Sequence, residues 1–127
     1  MSELIEDFGD FISKVNEKNK FEVEFEVNGE LNTIAYSELS SSEEISVQKE
    51  FGRWYKDNYK DTTFDKDVSL QQFRFFKMIQ KAGGMGKTTF DEFMAMPRLI
   101  TSALAVSIEK DLFDRYPHIK DQINALR

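Results

Sequence analysis

Cysteine is absent from this 127-residue chain, which excludes disulfides, thiolate metal sites and cysteine nucleophiles. Histidine occurs once, at His118 beside Pro117, so no histidine-based metal site can assemble and no serine has a Ser-His-Asp context. A structural or surface role is the expectation for it. Long apolar runs are missing too. The longest candidate, Leu99–Ile108, is broken by Thr101, Ser102 and Ser107 and falls well short of the roughly 20 residues of a membrane span. Basic charge is in deficit: 17 Lys and Arg face 23 Asp and Glu, a net charge of −6. With no dominant basic face, nucleic-acid binding is not expected. The opening MSELIEDFGDF lacks the basic start and apolar run of a secretory signal, so a cytoplasmic protein is the expectation.

What is present is aromatic and acidic. Twelve phenylalanines supply most of an aromatic content of 13%. A chain of this length buries roughly two thirds of its unfolded surface, enough for one real core. One domain over residues 1–127 is expected. The acids crowd the front: residues 1–67 carry 17 acids against 8 bases, residues 68–127 carry 6 against 9. Such a front half could steer a basic partner, or simply form a solvated surface.

The chain predicts a predominantly helical α+β domain with one antiparallel β-hairpin: an N-terminal helix over 1–16, the hairpin over 21–36 and a helical body over 41–126. Ser2 is a plausible N-cap for the first helix, which places Leu4, Ile5, Phe8, Phe11, Ile12 and Val15 on one stripe. Phe21–Val27 alternates, with Phe21, Val23, Phe25 and Val27 on one side and Glu22, Glu24 and Glu26 on the other. Asn28-Gly29 is the preferred pair for a two-residue hairpin turn. Such a turn sets Glu30, Asn32, Ile34 and Tyr36 beside the apolar set, whereas a longer loop sets Leu31, Thr33 and Ala35 there.

Ser40 or Ser41 with Glu43 or Glu44 forms a capping box opening a helix to about Tyr59, with Val47, Phe51, Trp54, Tyr55 and Asn58 at helical spacing. After a polar loop over Asp61–Asp67, a helix from about Val68 to Lys81 presents Val68, Phe73, Phe76 and Ile79, flanked by Phe75 and Met78. Pro97 divides a short helix ending near Met96 from a longer one reaching about Arg115. The longer helix is expected to bury Leu99, Ile100, Ala103, Leu104, Val106, Ile108, Leu112 and Phe113. A final short helix carries Ile119, Ile123 and Leu126.

Three segments suggest chemistry and each has a plainer reading. Gly86-Lys87-Thr88 supplies the second half of a phosphate loop, but Lys81 stands where the first glycine belongs. The variant with an upstream signature lysine has Ala82 in that place, and the segment before it reads as a helix rather than a buried strand. Gly83-Gly84 as a helix stop and Thr89-Phe90-Asp91-Glu92 as a capping box account for the whole stretch without a nucleotide. Asp61, Thr63, Asp65, Asp67 and Ser69 alternate like a calcium loop, yet Lys66 replaces the required glycine and Gln72 the bidentate Glu. A turn with helix-capping acids is the better account. Glu22, Glu24 and Glu26 offer paired carboxylates with nothing to desolvate them, so solvent or a basic partner is preferred to acid–base work. No catalytic residue, cofactor or metal is expected.

The hairpin FEVEFEVNGELNTIAY leading directly into SELSSSEEISVQKEFGRWYKDN, then a mostly helical remainder, resembles the small tail assembly chaperones of long-tailed bacteriophages over about residues 21–60. The helix ahead of the hairpin departs from that family, which often starts at the strand. The resemblance implies a non-enzymatic role: coating the tape measure protein and recruiting tail tube subunits, in the host cytoplasm if the chain is phage-encoded. The expected partners are therefore other proteins, with no nucleic acid and no membrane, and homo-oligomerisation is left open. Candidate partner-binding residues are Glu22, Glu24, Glu26, Phe51, Trp54 and Tyr55. The alternative is a small acidic inhibitor occupying a basic or nucleic-acid-binding site of a larger protein.

Overall fold

The computed structural model describes residues 3–58, 66–118 and 121. Within them lie α1 (Phe8–Glu17), β1 (Phe21–Val27), β2 (Glu30–Tyr36), α2 (Ser41–Asn58), α3 (Lys66–Lys81), α4 (Phe90–Met94) and α5 (Arg98–Arg115). The architecture is the expected one, a mostly helical α+β arrangement with one two-stranded antiparallel hairpin.

The hairpin register follows from its turn. Asn28 and Gly29 both take positive φ, 53° and 81°, the pair of values a type I′ turn demands. Val27 therefore opposes Glu30, Phe25 opposes Asn32, Val23 opposes Ile34 and Phe21 opposes Tyr36. The two-residue alternative is the observed one. Phe25 and Tyr36 are buried on this face, with Phe21, Val23, Val27 and Ile34 packed around them. β1 lies against α5 and β2 against α3. Two positions beyond the ladder, the Asn19 side chain takes over: its Nδ2 donates to the Glu38 carbonyl at 2.8 Å and its Oδ1 accepts from the Glu38 N–H at 2.8 Å.

Helix starts and stops come from local chemistry. Ser40 and Glu43 close a capping box, the Glu43 N–H donating to Ser40 Oγ at 3.1 Å and the Ser40 N–H to Glu43 Oε1 at 3.0 Å. α3 ends in a Schellman motif: Gly83, at φ 91°, donates to the Gln80 carbonyl at 2.9 Å and Gly84 to the Ile79 carbonyl at 3.0 Å. Thr89 and Glu92 form the second complete capping box, opening α4.

Three boundaries or faces differ from the sequence expectation. The first helix starts at Phe8, because Asp7 caps it by accepting the N–H groups of Gly9 and Asp10; Leu4 and Ile5 precede the helix, and Ser2 lies outside the described residues. α3 begins at Lys66, and Val68 is exposed rather than part of the buried stripe. On α5, Leu99, Ala103 and Val106 face solvent, while Thr101, Leu104, Ala105 and Ile108 are buried. Both sides of α5 are apolar enough to pack. The small Thr101 and Ala105 let the chosen side lie closest to its neighbours, and the Thr101 hydroxyl is satisfied by the Arg98 carbonyl at 3.0 Å. The expected final helix with Ile123 and Leu126 lies outside the described residues, as do Tyr59 and Asp61, Thr63 and Asp65.

Candidate functional site

The centre of the core is aromatic, and it absorbs part of the expected contact surface. Phe90 sits with its ring centroid 4.7 Å from Trp54, 4.8 Å from Phe73 and 5.6 Å from Phe76. Edge-to-face pairs of this kind favour offset rather than stacked rings. Phe51 is 2% exposed, 5.7 Å from both Trp54 and Phe73, and so belongs to the interior rather than to a contact face. Trp54 and Tyr55 are half-buried at its margin. The Trp54 indole N–H donates to Asp91 Oδ1 at 2.9 Å, and the Lys66 ammonium lies 5.4 Å from the Tyr55 ring centre.

Glu22, Glu24 and Glu26 stay in solvent on the outer hairpin face, opposite Ala35, Thr33 and the exposed Leu31. None of the three forms an ion pair among the described residues. The two halves of the predicted contact set are thus separated by the sheet: carboxylates outside, aromatics within.

The glycine-rich segment forms a helix stop, a turn and a helix start. Gly83 and Gly84 terminate α3, Thr88 donates to the Met85 carbonyl at 2.9 Å across a turn, and Thr89 caps α4. The Thr89 hydroxyl is engaged with Glu92 Oε1 at 3.1 Å. Lys87 is exposed beside Gly86, which takes φ 56°. Among the described residues no group of three or more His, Asp or Glu side chains converges as metal ligands, and no helix is long and apolar enough to cross a membrane. His118 is exposed.

The feature that stands apart is α1. It has the sharpest separation of apolar and polar sides in the chain, yet none of its residues is buried and it packs extensively against no other element. Phe8 is 62% exposed, Ile12 52% and Val15 49%, and Ile5 and Phe11 complete the stripe. The Phe8 and Phe11 rings meet edge to face, their centroids 5.5 Å apart. The sequence located this stripe; only the structure revealed that the fold leaves it uncovered.

A polar network that sequence reasoning missed ties the hairpin to α5. The fully buried Tyr36 donates its hydroxyl to Asp111 Oδ2 at 2.5 Å, and Arg115 Nε donates to the same oxygen at 2.9 Å. The Arg115 guanidinium also covers the Phe21 ring at 4.3 Å. Burial, reinforced by the Asp111 carboxylate, raises the Tyr36 hydroxyl pKa far above its ordinary value. Burial pushes Asp111 upward, but the Tyr36 hydroxyl and Arg115 together hold it below the usual carboxylate range. Its partners lie 75 positions apart, so no spacing pattern signals it.

No protein-family model, no curated protein and no solved structure matches this chain.

Proposed function

We propose that this protein is a non-enzymatic, cytoplasmic assembly protein that works by binding other proteins, most specifically a phage tail assembly chaperone or adaptor. The uncovered apolar stripe of α1 carries the reading. A contiguous apolar patch that the fold leaves in water costs solvation free energy and marks an interaction surface in a functional protein. A helix presenting anchors at positions 8, 11, 12 and 15 suits docking into a partner's groove or between partner helices. The hairpin, then Ser37-Glu38-Leu39, then an amphipathic helix adds the resemblance to tail chaperones. Tape measure and tail tube proteins are the partners that reading names.

A second reading, the acidic inhibitor, is favoured by one observation: the three exposed carboxylates of β1 on an otherwise open sheet face. The two separate experimentally. Tagged protein recovered from its native source, with its companions identified by mass spectrometry, should bring a very long helical protein and a tube subunit. That capture should disappear in a Phe8→Ser/Ile12→Ser variant and survive moderate salt. Capture of one polymerase, nuclease or regulator, lost on Glu22→Gln/Glu24→Gln/Glu26→Gln and steeply salt-sensitive, would replace the first reading by the second.

A further inference from the structure

A groove of about 420 Å³ runs between α2, α3 and α5, on surfaces that neither the α1 stripe nor the outer hairpin face includes. Its floor is apolar, formed by Leu39, Phe75, Met78, Leu112 and Phe113. Its rim is acidic: Glu38 at the end of the hairpin, Glu44 on α2 and Glu109 on α5, against a single cation, Arg74. Arg74 is already engaged by Glu44, its Nε lying 2.8 Å and 3.0 Å from the two carboxylate oxygens. Lys81, close to Glu38, reaches the Glu38 carbonyl at 2.9 Å and the Glu43 carboxylate at 2.5 Å. The carboxylates of Glu38 and Glu109 form no ion pair among the described residues.

We infer that this groove is a docking site for an amphipathic helix of another protein whose apolar stripe is flanked by lysine or arginine. Charge selects the occupant. Two free carboxylates on either side of an apolar floor complement basic residues on either side of an apolar stripe. The same rim disfavours a second copy of this chain offering α1, since Asp7, Asp10 and Glu17 outnumber Lys14 there and would bring net negative charge to it. Geometry selects a helix over a strand. The groove is walled mainly by helix side chains, and at the irregular backbone on its edge Glu38 has its N–H and carbonyl both held by Asn19. An incoming strand would find the Glu38 backbone already engaged, whereas a helix docks through side chains alone. Burial raises the Glu38 carboxyl above its ordinary range, an unfavourable solvation that a partner's cation would relieve. The inference rests on the protein-binding reading but not on any phage role.

The test uses the whole chain and a fluorescent synthetic helix of leucine and lysine with leucines at helical spacing, read by anisotropy. Two control peptides are a glutamate-for-lysine counterpart and a scrambled leucine–lysine sequence that retains charge but has no stripe. The first peptide should bind, both controls should fail, and binding should weaken as salt rises. Glu38→Gln/Glu109→Gln should weaken it about tenfold, the scale of losing rim charge pairs. Leu112→Ala should also weaken it while the circular dichroism spectrum stays that of the folded chain. Equal binding of the scrambled peptide, or no change in the charge variant, would overturn the inference. So would a dimer seen by sedimentation whose interface the peptide cannot reach. Loss of native-partner capture in Phe8→Ser/Ile12→Ser alongside failure of every peptide would sink the groove and leave the α1 reading standing.

Discussion

At the scale of single residues, the fold depends most on groups that have one partner and no substitute. Tyr36→Phe keeps the ring but strips Asp111 of its hydroxyl donor. A hydrogen bond to a charged acceptor is worth about 1.5–3 kcal/mol, so chemical denaturation should show a loss in that range. Asp111→Asn should lose a comparable amount, because Arg115 then loses its anion. Phe90→Ala should be worse, at about 3–5 kcal/mol, since a 6% exposed ring surrounded by four aromatics leaves a cavity that cannot close. Lys87→Ala, by contrast, removes an exposed side chain and should shift stability by less than about 0.5 kcal/mol. None of the first three could be ranked from the sequence. Tyr36 reads there as one more aromatic at a strand end, and Asp111 and Arg115 as a solvated i, i+4 pair.

At the scale of elements, the connections are local and the packing faces are not. Gly84 ends α3 with a Cβ position 2.9 Å from Ile79 Cγ2 and 3.9 Å from the Ala35 carbonyl. Gly84→Ala must therefore shift the buried Ile79 side chain, and its melting temperature should fall more than that of Gly52→Ala, where nothing lies within 4 Å. Both capping boxes, the Asn-Gly turn and the glycine stop were legible, because each is written in four to six adjacent residues. The α1 start was misplaced by a few residues because serine and aspartate both cap helices, and it is Asp7 that accepts the Gly9 and Asp10 N–H groups. The buried side of α5 was misread for a different reason: two apolar faces compete, and periodicity alone cannot say which one meets a neighbour. α1 is the element whose loss the fold should tolerate. Phe8→Ser/Ile12→Ser should melt within about 0.5 kcal/mol of the parent in free energy, since no buried contact disappears.

At the scale of the whole molecule, stability should depend on pH at both ends of the range. Asp111 and Glu43 are held below their ordinary values of 3.8 and 4.5, Asp111 by Tyr36 and Arg115 against its burial, and Glu43 chiefly by Lys81. Their contribution is present above those ordinary values and is lost as pH falls through the lowered folded-state values. Glu38 acts in the opposite sense. Its raised folded-state value means that protonation favours the folded chain, so its share of stability is full below 4.5 and fades as pH rises. Tyr36 likewise contributes below its ordinary value of 10.0 and loses that contribution as pH climbs beyond it. Urea midpoints measured across pH should therefore fall below the ordinary carboxylate range and again above about 10. Glu38→Gln should be more stable than the parent at neutral pH and should converge with it under acid conditions.

The sequence by itself determined the order of the elements, the hairpin turn and most of the helix stops and caps, because those features arise from neighbours along the chain. It also located the α1 stripe and the acidic strand face, both written as simple periods. Only the tertiary structure decided that the stripe is left uncovered and that Phe51 is interior. It alone placed the Tyr36 hydroxyl between Asp111 and Arg115, and set two free carboxylates beside an apolar groove. Each of those outcomes joins residues tens of positions apart. They are settled by which faces pack closely enough to exclude water, a property of the assembled chain and not of any segment within it.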